Sequence, residues 1–208
     1  MQPPRTRRPL LAAWGVAVGL GVLAALATLL ANVLIVRSFP DAPRPDDLLF
    51  EILPYVSPAR WLTVVALAGG FGLFLGDLVR HDGLRSRRLA AAGAMFALMY
   101  FSRAVITVLT PLAPAHGDGA FVMEPQQYGM FPSGHVGALT LLLLLSPAER
   151  PWVRRVQALM LVLMILGLLL ARGHYSIDIV GGLLLSYVVV DAWRSWRVLR
   201  ALSRLTEG

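Results

Sequence analysis

Long apolar segments separated by short polar connections dominate the chain. A helix that crosses the hydrocarbon core of a membrane needs roughly 20 mainly apolar residues. By that measure the hydropathy pattern predicts six spans, at residues 10–36, 61–79, 89–109, 133–147, 156–171 and 176–193. The fourth segment is short, so it either extends by a turn towards Glu149 or begins below the outer surface. The pattern therefore predicts an all-α, polytopic membrane protein.

The composition supports one membrane domain. The chain is 57% hydrophobic and 15% charged, whereas soluble domains carry roughly 25% charged residues. No polar region is long enough to build its own core, so we expect residues 1–208 to form a single six-helix bundle. The apolar segment Leu10–Val36 is longer than the roughly 7–15 apolar residues of a signal peptide, which favours a retained first span. Cysteine is absent, which excludes disulfides, thiolate metal sites and thiol catalysis.

The distribution of arginine predicts the orientation in the membrane. All 19 basic residues are arginines, and most of them cluster before the first span, in the second and fourth connections, and after the sixth span. The opposite loops hold only Arg37, Arg44, Arg60 and Arg172. The positive-inside rule then places both termini in the cytoplasm. The net charge of +7 is accounted for by this topology, so nucleic acid is not an expected partner. The sequence allows a homo-oligomer.

Two histidines lie where a polar loop enters an apolar segment. His135 precedes Val136–Leu145, and His174 precedes Ile179–Val190. Ionisable groups at such boundaries are costly to bury and are functional candidates. In the six-span topology both loops face the exoplasmic side, which in a bacterial inner membrane is the periplasm. The sequence therefore predicts one site on the outer face of an integral membrane protein.

His174 and Asp178 are four residues apart, so on one helix the carboxylate can reach the imidazole. A carboxylate that holds one ring nitrogen fixes the tautomer and leaves the other nitrogen as a base or a nucleophile. For this pair alone, a structural cap at a helix start is the alternative interpretation.

Ser133 and Gly134 precede His135 at a predicted helix start. Unpaired N–H groups and the positive dipole end attract anions there. Glycine lets a ligand approach the backbone, and serine adds a hydroxyl donor. The turn therefore predicts a phosphate site, with a simple N-cap as the alternative.

Arg103 lies inside the third predicted span and needs an anionic partner. A substrate phosphate would serve, and the alternatives are a structural pair with Asp178 or a side chain that extends to the interface. Arg172 is a second candidate phosphate ligand, although it could simply mark the interface. His116 and Glu124, in the outer loop before Pro132, are expected to be solvated or to contact the substrate.

Two motifs carry a resemblance to a known family. Pro132-Ser133-Gly134-His135, followed by His174 and Asp178, resembles the last two signature motifs of the type-2 phosphatidic acid phosphatase superfamily. The stretch His174–Ile179 is most similar to the sphingomyelin synthase branch, and the Arg103 segment is similar to its third span. The chain has no lysine, so the first phosphatase motif, Lys-x6-Arg-Pro, is absent. This absence favours the synthase branch.

The resemblance implies a metal-independent, cofactor-free lipid phosphotransferase. His174, oriented by Asp178, would attack phosphorus and form a phospho-histidine, and His135 would protonate the leaving alkoxide. The substrates would be a glycerophospholipid and a ceramide-like lipid alcohol, with Arg103, Ser133 and Gly134 holding the phosphate.

Other functions are compatible with the same residues. A lipid phosphate phosphatase or a phospholipase C-like hydrolase would use water as the acceptor. A transporter or scaffold would carry the histidines without using them in chemistry. A zinc site with His135, His174 and Asp178 as ligands is a further alternative.

Overall fold

The computed structural model describes residues 7–83, 86–115, 129–196 and 199. Within these residues the regular structure is entirely helical, with no strand, which confirms the predicted all-α class. The helices in the described ranges are α1 (Arg7–Ser38), α2 (Leu48–Ile52), α3 (Arg60–His81), α4 (Arg87–Leu109), α5 (Gly134–Leu145), α6 (Pro151–Leu170) and α7 (Ser176–Ser195).

Five of these helices, α1, α3, α4, α6 and α7, are long and apolar enough to cross a membrane. The predicted fourth span differs, because α5 has only 12 residues. At about 1.5 Å per residue it is roughly 18 Å long, whereas the hydrocarbon core is about 30 Å thick. Its C-terminal end is defined by Ser146, whose N–H bonds to the carbonyl of Leu143. The helix therefore does not extend towards Glu149, and the six-span count and the positions of the termini stay predictions.

Small residues bring α1 and α4 together. The two helices contact each other, and the buried residues that they share in one cluster include small alanines, which let helix backbones approach closely: Ala13, Ala17, Ala90, Ala91 and Ala94. The opposite face of α1 exposes large apolar side chains, Leu26 and Leu30 among them. This pattern suits a peripheral helix with one face on the bundle and the other on lipid.

The short helix α5 lies at the centre of the bundle. Every residue from Val136 to Leu142 is buried. The helix contacts α3, α4, α6 and α7, and on the α7 side the Ser186 hydroxyl donates to the Gly137 carbonyl at 2.8 Å. Because α5 is held on all sides, its first residues have a fixed position between the ends of longer helices.

A cluster of charged residues joins three helices at the opposite end of the bundle. Asp77, near the end of α3, contacts Arg150 at the start of α6 and lies 3.6 Å from Arg88 in the first turn of α4. Arg88 also pairs with Asp82 at 2.8 Å. These contacts tie helix ends that the apolar packing alone would leave free to slide.

Candidate active site

His174 and Asp178 are in contact. His174 Nδ1 lies 3.1 Å from Asp178 Oδ2, and both residues are buried. The helix begins only at Ser176, so the two residues do not share a continuous helical face as the spacing suggested. Instead, the turn before α7 carries the imidazole back over the first turn of the helix. The Tyr175 N–H donates to the same carboxylate oxygen at 3.0 Å, which holds that turn in place.

His135 faces this pair. The centroids of the His135 and His174 rings are 5.8 Å apart, with an interplanar angle of 66°. Because Nδ1 of His174 faces the carboxylate, Nε2 is the ring nitrogen of that residue that can react. The structure thus brings together the two imidazoles and the carboxylate that the sequence separates by about forty residues.

The start of α5 is bonded directly to α7. Ser133 is the N-cap of α5, and its hydroxyl accepts a bond from the Val136 N–H at 3.4 Å. The Ser133 N–H in turn donates to the Asp178 carbonyl at 2.9 Å. The hydroxyl therefore acts as the simple cap that was one interpretation of this turn. The backbone bond keeps the two histidine motifs in register with each other.

Arg103 is held by the backbone of the loop that precedes α5. Its Nε donates to the Pro132 carbonyl and its Nη2 to the Gly129 carbonyl, both at 2.8 Å. Thr107, one turn further along α4, donates to the Phe131 carbonyl at 3.1 Å. The hydrogen-bond partners of Arg103 among the described residues are therefore these loop carbonyls, and neither a pair with Asp178 nor a side chain extended to the membrane interface is observed. Arg103 therefore orients the loop that presents the α5 N-terminus.

The guanidinium of Arg103 also lies beside the proposed phosphate turn. A Cβ atom built on Gly134 would lie 3.2 Å from Arg103 Nε and 3.3 Å from a ring carbon of Tyr100. Nη1 of Arg103 makes no hydrogen bond to any residue that the structure describes. A positive charge is thus fixed next to the first turn of α5, where an anion would be stabilised.

Arg172, the second candidate phosphate ligand, contacts the connection between α1 and α3. Its Nη2 donates to the Phe50 carbonyl at 2.8 Å, and its guanidinium carbon lies 5.6 Å from the Phe50 ring and 5.7 Å from the Tyr55 ring. The side chain thus joins the loop between α6 and α7 to the connection between α1 and α3. The other two predicted contacts, His116 and Glu124, lie outside the described residues.

Sequence reasoning missed Asp47. No role for it was predicted from the sequence, whereas Asp47 is 8% exposed and accepts a bond from the Ser176 N–H at 2.5 Å. An aspartate directly before Leu48–Ile52 is a signal for a helix N-cap. That signal could have located α2, but no local pattern indicates the contact with α7.

Known proteins provide no further assignment for the site: no protein-family model matches the chain, and no curated protein matches it. The functional interpretation therefore depends on the chemistry of the residues that converge around His174. Those residues are two imidazoles, a buried carboxylate, a guanidinium and a helix N-terminus.

Proposed function

We propose that the protein is an integral-membrane lipid phosphotransferase that moves a phospho-headgroup from a glycerophospholipid to a ceramide-like lipid alcohol. The observation that carries this proposal is the approach of the His135 ring to His174, whose other side is held by Asp178. One imidazole oriented by a carboxylate is an activated nucleophile. A second imidazole within reach supplies the acid and the base that a two-step transfer needs.

In the first step Nε2 of His174 attacks phosphorus, forming a P–N bond while the bond from phosphorus to the diacylglycerol oxygen breaks. Protonated His135 gives its proton to that oxygen, so diacylglycerol leaves as a neutral alcohol. In the second step neutral His135 takes the proton of the incoming lipid hydroxyl, whose oxygen attacks phosphorus. The P–N bond breaks, His174 is regenerated, and His135 is protonated for the next cycle.

The transition state of phosphoryl transfer carries negative charge on the transferring group, and fixed positive groups lower its free energy. The Arg103 guanidinium and the first-turn N–H groups of α5 are such groups. Arg103 is bound to two carbonyls, so it does not have to reorganise during the reaction. It contributes a charge that is already in position.

The length of α5 supports a site below the membrane surface. Since α5 is about 18 Å long, a helix that ends at the cytoplasmic surface would place His135 within the hydrocarbon thickness. We assign the site to the exoplasmic half because of the arginine distribution. Lipid substrates suit such a position, because diacylglycerol and ceramide stay in the bilayer.

The test is turnover by purified protein in vesicles that contain a phospholipid labelled with ³²P in its headgroup, with and without ceramide. We expect labelled phospho-ceramide, and a labelled protein intermediate that is absent from His174→Ala. His135→Ala should slow turnover by about 10²–10⁴-fold, the usual contribution of general acid–base catalysis. His81→Ala is the matched control, because His81 lies in the charged cluster at the opposite end.

The outcomes separate the candidate functions. Labelled phospho-ceramide that requires both histidines supports the transferase. Release of a water-soluble headgroup in the presence of ceramide, with the same dependence on His135 and His174, indicates the hydrolase that uses water as acceptor. Turnover that is unchanged in both variants would contradict chemistry at this site. A wild type that yields neither product would favour a transporter or scaffold.

A further inference from the structure

The connection between α1 and α3 is bound to the turn that carries His174. The Val56 N–H donates to the Leu170 carbonyl at 2.8 Å, at the end of α6. Arg172 reaches back to the Phe50 carbonyl, also at 2.8 Å. The connection therefore contacts the loop between α6 and α7 through backbone and side-chain bonds, in addition to any packing.

Asp47 makes the contact closest to the nucleophile. Its Oδ1 accepts a bond from the Leu49 N–H at 2.9 Å and so caps α2. Its Oδ2 accepts a bond from the N–H of Ser176, the first residue of α7. N–H groups in the first turn of a helix lack partners inside the helix, and a carboxylate satisfies them well. One buried side chain thus caps two helices.

The bond from Asp47 is adjacent to the bonds that orient the imidazole. Consecutive N–H groups, those of Tyr175 and Ser176, donate to Asp178 and Asp47 respectively. The Asp178 oxygen that accepts the Tyr175 bond is the one that faces His174 Nδ1. Two carboxylates therefore hold the same turn: Asp178 belongs to α7 itself, and Asp47 belongs to the connection between α1 and α3.

We propose that Asp47 is a positioning residue for His174, an inference that rests on the proposed function. Without the carboxylate, the Ser176 N–H loses its acceptor and the turn that carries the imidazole gains freedom to move. A displacement of about 1 Å can lower a rate by roughly 100-fold, because the attacking atom leaves its productive geometry. The bond holds the turn that carries the nucleophile and contacts none of the residues assigned to phosphate binding, so we expect the effect in kcat.

The test compares Asp47→Ala and Asp47→Asn with Asp46→Ala. Asp46 is the exposed neighbour, so its substitution removes the same charge from the same loop without removing a buried contact. We expect Asp47→Ala to lower kcat by about 10–100-fold with little change in KM. Asp47→Asn, which keeps one acceptor oxygen, should recover part of the loss. Asp46→Ala should match the wild type.

Hydrogen exchange of the Ser176 and Tyr175 amides gives a readout that does not require turnover. We expect faster exchange in Asp47→Ala than in Asp46→Ala, with the amides of α5 unchanged. An Asp47→Ala protein with wild-type kcat would overturn this proposal alone. So would a loss of activity that merely follows the folded fraction. If the wild-type protein neither transfers nor hydrolyses the headgroup, the proposed function is wrong. If the exchange of the Ser176 amide is the same in Asp47→Ala and Asp46→Ala, the bond from Ser176 to Asp47 does not hold the turn, whatever the activity.

Discussion

Two buried carboxylates lie at opposite ends of the bundle, Asp178 at the start of α7 and Asp77 near the end of α3. Asp178 is fully buried and Asp77 is 5% exposed. In each, one oxygen makes no hydrogen bond to any residue that the structure describes. By burial and by unmet hydrogen bonding the two are nearly equivalent, so neither property separates a reactive site from a structural one.

Their partners separate them. Asp77 contacts the guanidinium of Arg150 and lies 3.6 Å from that of Arg88, and an arginine stays charged at any ordinary pH. The imidazole of His81 is also near Asp77, but its Nδ1 is 3.7 Å from the carboxylate and its side chain is 51% exposed, so the carboxylate does not hold it in a buried site. Asp178 contacts the imidazole of His174, which can gain and lose a proton and keeps a second nitrogen for reaction. A buried carboxylate is thus a site candidate through the group that it orients, and the charge of Asp77 is only neutralised.

Among changes to the two carboxylates and the glycines near them, Asp178→Asn should have the largest effect on turnover, a decrease of about 10²–10⁴-fold, because an amide no longer holds His174 in the reactive tautomer. The melting temperature should change little, since a neutral group replaces a buried charge. Steady-state rates and thermal unfolding in detergent would measure both. Asp191→Asn, an exposed position on the same helix, is the control. Full activity in Asp178→Asn would contradict the distinction between the two carboxylates.

Asp77→Ala should have the opposite signature. Arg150 and Arg88, whose side chains are 23% and 27% exposed, would lose the carboxylate that compensates them. The cost should therefore lie between the roughly 1 kcal/mol of an exposed pair and the roughly 3–5 kcal/mol of a fully buried one. We expect a lower free energy of unfolding, with turnover per folded molecule unchanged. Asp82→Ala, which removes a partly exposed partner of Arg88, should cost at most about 1 kcal/mol. A stable Asp77→Ala protein without activity would show that the Asp77 cluster takes part in the reaction and is not only structural.

Glycines near the two carboxylates should also respond differently to alanine. A Cβ atom on Gly182 would lie 2.6 Å from the Ser133 carbonyl oxygen, a backbone atom that cannot rotate away. Gly182→Ala should cost about 1–3 kcal/mol and lower activity by displacing the start of α5. A Cβ atom on Gly76 meets nothing within 4 Å, so Gly76→Ala should be neutral or stabilise by up to about 1 kcal/mol. Equal effects of the two variants, measured by unfolding and by turnover, would show that the α5–α7 contact is looser than the structure indicates.

The smallest expected effect is that of a chelator. If the imidazoles and Arg103 carry the reaction, EDTA should leave turnover unchanged. Activity that EDTA removes and zinc restores would favour a metal held by His135, His174 and Asp178. In that case the site around His174 would be a metal centre, and Asp178 would bind the metal instead of orienting the imidazole.

Hydropathy predicted the five long helices α1, α3, α4, α6 and α7, because the cause of each is local. A long apolar segment has to satisfy its backbone hydrogen bonds within itself in a membrane, so hydropathy alone indicates a helix. The spacing of His174 and Asp178 likewise predicted a contact that is present. Even there the local geometry differed, because the turn before Ser176 makes the contact and a continuous helix does not.

Hydropathy and short motifs by themselves determined the helical class and singled out two histidines at the ends of polar loops. Tertiary structure decided what those residues touch. It paired Arg103 with carbonyls near Pro132 and placed Asp47 at the start of α7, across 129 residues of chain. Such contacts depend on how the helices pack, and packing is a property of the whole bundle that no window of sequence contains. For the same reason only the fold showed that the two imidazoles face each other.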